Sequence, residues 1–207
     1  MMGLSHTLAK QLRQPSGWLG RLIGFALRIN REGIDWTIRL LEIRPTDHVL
    51  EVGFGSGYGI QNAAALAFRG RVAGIDFSET MVRQARARNA YVRAGGRVDL
   101  THGEASALPY PDNSFDKVFA TNVVYFWQDQ AANLKELRRV MKPGGRLALY
   151  VIAKEELAEM KITRTGVYTL YTGDELVRLL AQAGFHNARF ETKSERFRTG
   201  VCALAEK

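Results

Sequence analysis

From residue 47 onward, short apolar runs rich in β-branched residues alternate with longer segments whose apolar residues recur at helical spacing. The strand-like runs lie at 48–52, 71–75, 97–101, 115–120 and 146–152, and the helical patterns lie at 61–68, 78–94 and 130–140. Glycines follow the helical segments, where helices commonly end. Strands alternating with helices of this length indicate βαβ units, so we expect a parallel sheet with helices on both faces.

The last quarter of the chain has a different pattern. A helical segment at 173–183 precedes two strand-like runs, at 188–192 and 200–205. The two strands are joined without a helix, so one of them should run antiparallel to its neighbour. The sequence therefore predicts a doubly wound α/β fold with a mostly parallel seven-stranded sheet and one antiparallel strand near the C-terminus.

Before residue 46 the pattern is entirely helical. In residues 18–29, apolar side chains share one face, whereas Arg21 and Arg28 lie seven residues apart on the other. A second helical pattern covers 33–43. We expect a helical lid at 1–45 beside a main domain at 46–207, within a single domain overall. The alternative is a basic amphipathic element that contacts a membrane surface.

Composition limits the class of protein. The chain has 207 residues, of which 46% are hydrophobic and 24% charged, which argues against a disordered chain and suits one globular domain. Cys202 has no second cysteine to pair with, and no zinc-ligand spacing occurs. Neither a secretory signal nor a transmembrane span is predicted. We therefore expect a cytoplasmic protein without a metal.

The formal net charge of +8 is unevenly distributed. Segments 46–68 and 98–160 are each net negative, so the basic excess lies outside them. No run of like charge is long enough to form a tail, and a solvated, arginine-rich surface explains the excess. Nucleic acid is not favoured as a partner, whereas peripheral membrane contact stays open. Oligomeric state is not indicated.

A glycine-rich turn follows the first predicted strand. Residues 51–57 read Glu-Val-Gly-Phe-Gly-Ser-Gly, and glycines at alternate positions let the backbone turn sharply and approach a ligand. The dinucleotide spacing G-x-G-x-x-G fails, because its last position is Tyr58 or Ile60. An acidic residue in the turn, Glu51, suits a ligand with cationic character rather than a pyrophosphate.

The E-x-G-x-G-x-G spacing resembles the first motif of class I S-adenosylmethionine-dependent methyltransferases. More narrowly, the chain from about residue 47 is similar to the small-molecule branch that includes ubiquinone and menaquinone biosynthesis C-methyltransferases. Further matches lie in the same order as in that family: Val72–Ser78 with Met81, Gly103–Ala105 with Leu108–Asp116, Arg138–Gly145, and Tyr171–Phe185.

The resemblance implies a Rossmann-like fold, S-adenosylmethionine as cofactor, S-adenosylhomocysteine as product, and no metal. Asp76, about 20 residues past the turn, would bind both ribose hydroxyls, although a helix N-cap is the ordinary alternative. Core packing explains an apolar Met81 equally well, and a merely solvated side chain is the alternative for Glu104. The cofactor-binding residues implied are Glu51, Gly53, Gly55, Gly57, Asp76, Phe77, Met81, Glu104, Ala105 and Asn122.

Residues 121–127 form an aromatic cluster after the fourth predicted strand. Nucleic-acid amino-methyltransferases carry N-P-P-Y here, but both prolines are valines in this chain, so that activity is not carried over. Tyr125 and Trp127 wall an acceptor pocket or pack internally. Segment 155–172 is the natural acceptor-specific insertion. The candidate acceptor contacts are Trp18, Tyr125, Trp127, Tyr168 and Tyr171.

Methyl transfer from a sulfonium is an in-line displacement with a neutral leaving group, so the enzyme mainly aligns the acceptor and excludes water. A base is needed only if the acceptor must lose a proton. The candidates are His102, Tyr168 and Tyr171. We expect a small-molecule acceptor. The alternatives are a membrane-borne lipid or quinone, and a non-catalytic basic adaptor that binds anionic lipid or nucleic acid.

Overall fold

The computed structural model describes residues 31–196 and 198–207. The helical pattern at 18–29, with the candidate acceptor contact Trp18, lies outside these residues. The described strands are β1 (His48–Val52), β2 (Arg71–Asp76), β3 (Val98–His102), β4 (Phe115–Thr121), β5 (Met141–Ile152), β6 (His186–Ser194) and β7 (Thr199–Glu206). They form one seven-stranded sheet in the order β3-β2-β1-β4-β5-β7-β6.

The described helices are α1 (Arg31–Leu41), α2 (Tyr58–Leu66), α3 (Glu79–Arg88), α4 (Ala90–Ala94), α5 (Gln130–Val140), α6 (Lys154–Glu159) and α7 (Gly173–Gln182). Short 3-10 turns cover Val124–Phe126 and Lys161–Thr165. The single helix predicted at 78–94 is interrupted at Asn89. Its side-chain amide donates to the carbonyl oxygens of Gly57 and Ala85, each at 3.0 Å, which ties the interruption to the glycine-rich turn.

The prediction of a mostly parallel sheet is confirmed. β1 to β5 pair in parallel, whereas β7 pairs antiparallel with both β5 and β6. β6 and β7 are joined by a short turn rather than a helix, and such a connection reverses the chain direction. One difference concerns the start of β5, which was predicted at residue 146, so that residues 143–145 would have preceded it. They lie within β5, in an irregularity of its pairing with β4.

Helices cover both faces of the sheet, so its central strands are buried on both sides. On one face, α5 and α7 pack through Leu134, Leu137 and Leu180. On the other face, α2 and α3 pack through residues such as Ile60 and Ala85. This two-sided core confirms the doubly wound architecture.

Helix α1 covers most of the segment predicted at 33–43 and packs on the same face as α2, over β4 and β5. Its Trp36 meets the ring of Tyr150 edge-on, with centroids 6.2 Å apart. Gly33 lies so close to the same ring that a β-carbon at this position would overlap it. These contacts build α1 into the core while its first turn stays near the carboxyl ends of the strands.

The chain passes from β3, at one edge of the sheet, to β4 near its centre, so the strand order reverses between the neighbouring strands β1 and β4. In doubly wound sheets, ligands bind at the carboxyl ends of the strands beside the point where the strand order reverses.

Within the described residues, no helix combines the length and apolar character that a membrane span requires.

Candidate active site

A cavity of about 490 Å³ lies at the carboxyl ends of β1, β2 and β4. One part is bordered by the glycine-rich turn and the end of β2. Another part is bordered by the aromatic cluster that follows β4 and by the segment that follows β5. The topology therefore brings the predicted cofactor motifs and three of the predicted acceptor contacts, Tyr125, Trp127 and Tyr168, to one cavity.

The turn after β1 has the backbone geometry that its glycines predict. Gly53, Gly55 and Gly57 have φ angles of 72°, 52° and 80°, in the left-handed region. A β-carbon on Gly53 would overlap the side chain of Val123, on the loop after β4. Glycine is therefore required both for the turn and for the close approach of the two loops.

Glu51 lies near the end of β1 and is 1% exposed. Burial, followed by the charge of Asp76, holds the pKa of its carboxyl well above the usual range. Its Oε2 atom is buried and has no hydrogen-bond partner among the described residues. A buried carboxylate without a partner is costly, so a cationic group from a ligand would stabilise it.

Asp76 is the last residue of β2 and is 6% exposed. The amide N–H groups of Gly55 and Ser78 donate to its two carboxylate oxygens, at 2.8 and 2.9 Å. Burial raises the pKa of Asp76 to about 6, although these two bonds oppose the shift. Each oxygen keeps a lone pair, so the carboxylate can also accept two hydroxyl donors.

The predicted adenine-side residues meet at the cavity beyond β2 and β3. Phe77, Met81, Glu104 and Ala105 all line it, and Met81 is 1% exposed while Glu104 is exposed. Met81 therefore packs in the interior and borders the cavity at the same time. His102 is exposed and is not a lining residue; its Nε2 lies 3.0 Å from the carbonyl oxygen of Phe77.

Asn122 begins the loop after β4 with a φ of 57°. Its Oδ1 accepts a hydrogen bond from the Tyr125 hydroxyl at 2.7 Å, which fixes the amide orientation. Its Nδ2 is buried without a partner among the described residues, and so is Nε1 of Trp127. These two donors belong to side chains that line the cavity.

Aromatic rings form the acceptor side of the cavity. Tyr125 and Phe126 pack edge-on with centroids 4.9 Å apart, and Tyr168 lies 5.5 and 4.8 Å from them. The Thr169 amide donates to the carbonyl oxygen of Tyr125 at 2.9 Å and holds the two segments together. Burial raises the pKa of Tyr168 to about 12, and that of Tyr125 well above its ordinary value.

Not every candidate reaches the cavity. Tyr171 is half-buried against the apolar core and is not a lining residue, and Gly57 shapes the turn without lining the cavity. Sequence reasoning did not single out several lining residues. Leu157, Met160 and Thr163 could have been selected within the predicted insertion at 155–172. Other such residues had no local signal: Arg31, Ile34, Tyr58, Gln128, Asp129, Asn133 and Ile152.

The lining residues suit an organic ligand with a cationic group and hydroxyls, because the carboxylates of Glu51 and Asp76 border the cavity together with aromatic and aliphatic side chains. Among residues 31–196 and 198–207, no cluster of three or more His, Cys, Asp or Glu side chains could hold a metal ion.

The fold and the glycine-rich turn place the chain among class I methyltransferases, and comparisons with known proteins agree. Residues 50–149 match the family model described as a methyltransferase domain. The chain is 33% identical over 172 residues to the uncharacterized methyltransferase YdaC of Bacillus subtilis, covering 83% of this chain and 90% of that one. The protein belongs to the class I S-adenosylmethionine-dependent methyltransferases.

A further relative is the demethylmenaquinone methyltransferase of Listeria monocytogenes, 37% identical over 147 residues. The match covers 69% of this chain and about 60% of the relative's length. Two solved structures share the fold at lower identity. A methyltransferase from Aquifex aeolicus has a TM-score of 0.70 at 23% identity, covering 96% and 97% of the chains. The [4+2]-cyclase SpnF has 0.73 at 21%, covering 85% and 80%.

Proposed function

We propose that this protein transfers the methyl group of S-adenosylmethionine to a small, largely apolar molecule. The observation that carries the proposal is one shared cavity, in which Glu51 and Asp76 border one part and Tyr125, Phe126 and Tyr168 wall another. A polar part that suits the cofactor and an aromatic part that suits an acceptor would place both reactants side by side.

When bound, S-adenosylmethionine supplies an activated methyl group on a positively charged sulfur. In the proposed arrangement, Asp76 accepts hydrogen bonds from the two ribose hydroxyls and Glu51 binds the ammonium group. Asn122 offers its unpaired Nδ2 to the same ligand, while Phe77 and Met81 flank its base. The aromatic wall orients the acceptor and excludes water, which is the main catalytic task for such a reaction.

Proton removal is a minor part of the proposed mechanism. Tyr125 and Tyr168 have raised pKa values and stay protonated near neutral pH, so they act as walls or hydrogen-bond donors rather than bases. His102 lies outside the lining residues. We therefore favour an acceptor that is already nucleophilic at neutral pH, such as an acidic phenol, an enolate or a weakly basic amine.

A membrane-borne lipid or quinone is the alternative acceptor. The similarity to demethylmenaquinone methyltransferase and the apolar side chains of Ile152, Leu157 and Met160 favour it. This chain spans only about 60% of that relative. Both the acceptor and a peripheral membrane location therefore remain proposals, as does residence in the cytoplasm.

Isothermal titration with S-adenosylhomocysteine tests the cofactor assignment. We expect micromolar binding by the wild-type protein and a loss of at least tenfold in Asp76→Ala. Asp99→Ala, at an exposed position on β3, is the matched control and should bind normally. Absence of binding by the wild-type protein would refute the proposed function.

Release of S-adenosylhomocysteine in a screen of amines, phenols, quinones and phospholipid vesicles tests the catalytic assignment. The fold alone does not establish methyl transfer, since SpnF has it too. Cofactor binding without release would favour the second candidate, a basic adaptor, motivated by the net charge of +8. Sedimentation with anionic vesicles at two salt concentrations would then show salt-sensitive binding.

A further inference from the structure

The sheet has two edge strands, β3 and β6, and they differ in length and in exposure. β3 has five residues and is tied to α3, because Nη2 of Arg86 donates a hydrogen bond to the carbonyl oxygen of Leu100 at 2.8 Å. β6 has nine residues, of which seven are exposed and two are half-buried. An edge strand presents backbone N–H and C=O groups that can pair with another strand. β6 is therefore the longer and more open of the two edges.

The outer edge of β6 is regular over most of its length. β6 pairs with β7 without interruption from Arg189 to Ser194, after a bulge in which Asn187 has a φ of 52°. In an antiparallel edge strand, the backbone groups of every second residue point away from the neighbouring strand. Within the part of the chain that the structure describes, residues 189–194 make no backbone–backbone hydrogen bond other than those of the sheet. This stretch can therefore accept a further strand.

The side chains in the middle of β6 divide between the two faces of the sheet. Phe190 lies on the face of α7 and is 38% exposed; a β-carbon on Gly173 would overlap its ring. Arg189 and Glu191 lie on the other face, are exposed, and make no salt bridge with any residue in 31–196 or 198–207. An apolar side chain on one face thus lies between a cation and an anion on the other.

This stretch of β6 is complementary to itself. If two copies pair antiparallel about Phe190, Arg189 of each copy lies directly opposite Glu191 of the partner subunit. Directly opposed residues of an antiparallel pair have their side chains on the same face, so each cation faces an anion, and this contact occurs twice. The two Phe190 rings adjoin on the other face and lose exposed apolar surface.

Other alignments of two copies are less favourable. An axis one residue earlier or later would oppose Arg189 to Arg189, or Glu191 to Glu191, and like charges directly opposite each other are destabilising. An axis at Thr192 would oppose Glu191 to Lys193, whose Nζ already bonds Oε1 of Glu32 at 2.8 Å. The charges of β6 therefore select the alignment centred on Phe190.

We propose that two copies of this chain associate through β6, in an antiparallel strand pair centred on Phe190 that joins the two sheets across a two-fold axis. Such an interface is isologous, because the same surface patch serves on both copies. A single strand pair is small compared with obligate interfaces, so the dimer is weak and reversible, with a Kd in the micromolar range. β6 is separated from β1 and β2 by three strands, so the inference does not depend on the proposed function.

Sedimentation velocity of the full chain, from about 1 to 500 µM, measures the association. The weight-average mass should rise with concentration towards twice that of the chain. Hydrogen–deuterium exchange at the two ends of this range should show slower exchange for amides of 189–194 at the high concentration. Amides of β3, the other edge strand, should exchange at the same rate at both concentrations.

Charge exchange tests the alignment. Arg189→Glu and Glu191→Arg should each raise the dimer Kd roughly 10- to 100-fold, because two attractions become two repulsions. The double variant R189E/E191R restores opposite charges and should return the Kd to within about threefold of wild type. Lys135→Glu, at an exposed position on α5, makes the same change of net charge as Arg189→Glu and should leave the Kd unchanged.

Four outcomes would overturn the inference. A chain that stays monomeric throughout the concentration range has no such interface, and its edge would be left for a strand of a different protein. A dimer that neither single variant weakens uses another surface. A double variant as weak as the single ones would exclude the opposition of Arg189 and Glu191. A wild-type dimer without protection of 189–194 would exclude β6, and this result requires no variant to fold.

Discussion

Replacing Asp76 by asparagine should make the stability of the ligand-free protein less sensitive to a rise in pH from about 4 to 7. The Asp76 carboxyl is 6% exposed, and burial raises its pKa from 3.8 to about 6. An acid whose pKa is higher in the folded state binds its proton more tightly there. Its contribution to stability is therefore fully present below pH 4 and is lost as the pH rises towards 6.

The magnitude follows from the size of this shift. A shift of about two pKa units corresponds to about 3 kcal/mol between the acidic and alkaline limits. About 2 kcal/mol of that change falls between pH 4.5 and 8. Asparagine does not titrate, but it offers one acceptor oxygen in place of two, so the bond from Gly55 or Ser78 is lost. That loss costs about 1–3 kcal/mol at every pH.

Urea unfolding followed by circular dichroism measures the difference. Asp76→Asn should be less stable than wild type at pH 4.5 and should gain about 2 kcal/mol relative to it by pH 8. The neighbouring Glu51 acts in the same direction, because the variant removes a like charge beside it. Asp99→Asn, at an exposed position on β3, is the control. A difference independent of pH, or one of opposite sign, would refute the reasoning.

Three further predictions concern the ligand site and its supporting loop. Affinity for S-adenosylhomocysteine should fall about tenfold from pH 7 to pH 5, because the Asp76 carboxylate, with a pKa of about 6, is mostly protonated at the lower pH. A Kd that titration calorimetry finds constant over this range would contradict this prediction. Gly59→Ala should still fold, as circular dichroism would show, but should bind S-adenosylhomocysteine at least tenfold more weakly, because its methyl group displaces the Glu51 carboxylate. Wild-type affinity in this variant would argue against a role of Glu51 in binding. Arg139→Met should lower the free energy of unfolding by about 2 kcal/mol. It removes hydrogen bonds to the carboxylates of Glu136 and Asp112 and to the carbonyl oxygens of Leu108 and Tyr110. A loss below about 0.5 kcal/mol, measured by urea unfolding, would be inconsistent with these bonds.

The local parts of the site were predictable because their information lies within one short segment. The three glycines of the turn after β1 adopt the positive φ angles that their spacing suggested. Asp76 ends β2 as expected, and the alternation of strands with helices predicted the helices that bury the sheet on both faces. Such features depend on backbone conformation and on periodicity, both of which are properties of neighbouring residues.

Other features could not be obtained from periodicity. The helix predicted at 78–94 is interrupted because Asn89 bonds to Gly57, 32 residues earlier. Tyr168 and Tyr171 lie within the same predicted insertion and both pack against the core, yet only Tyr168 also lines the cavity. Side-chain direction in an irregular segment depends on the contacts that the segment makes, and these have no regular spacing in sequence.

The sequence alone determined the class of fold, the cofactor motifs and their order, because each is written in a contiguous stretch of chain. Only the tertiary structure decided which residues share the cavity. Arg31 and Glu51 contact adjacent residues of α2 because α1 packs over β4 and β5, two strands that lie much later in the sequence. That arrangement is fixed by burial of apolar faces between distant elements, and such packing gives no local pattern that marks a single arginine.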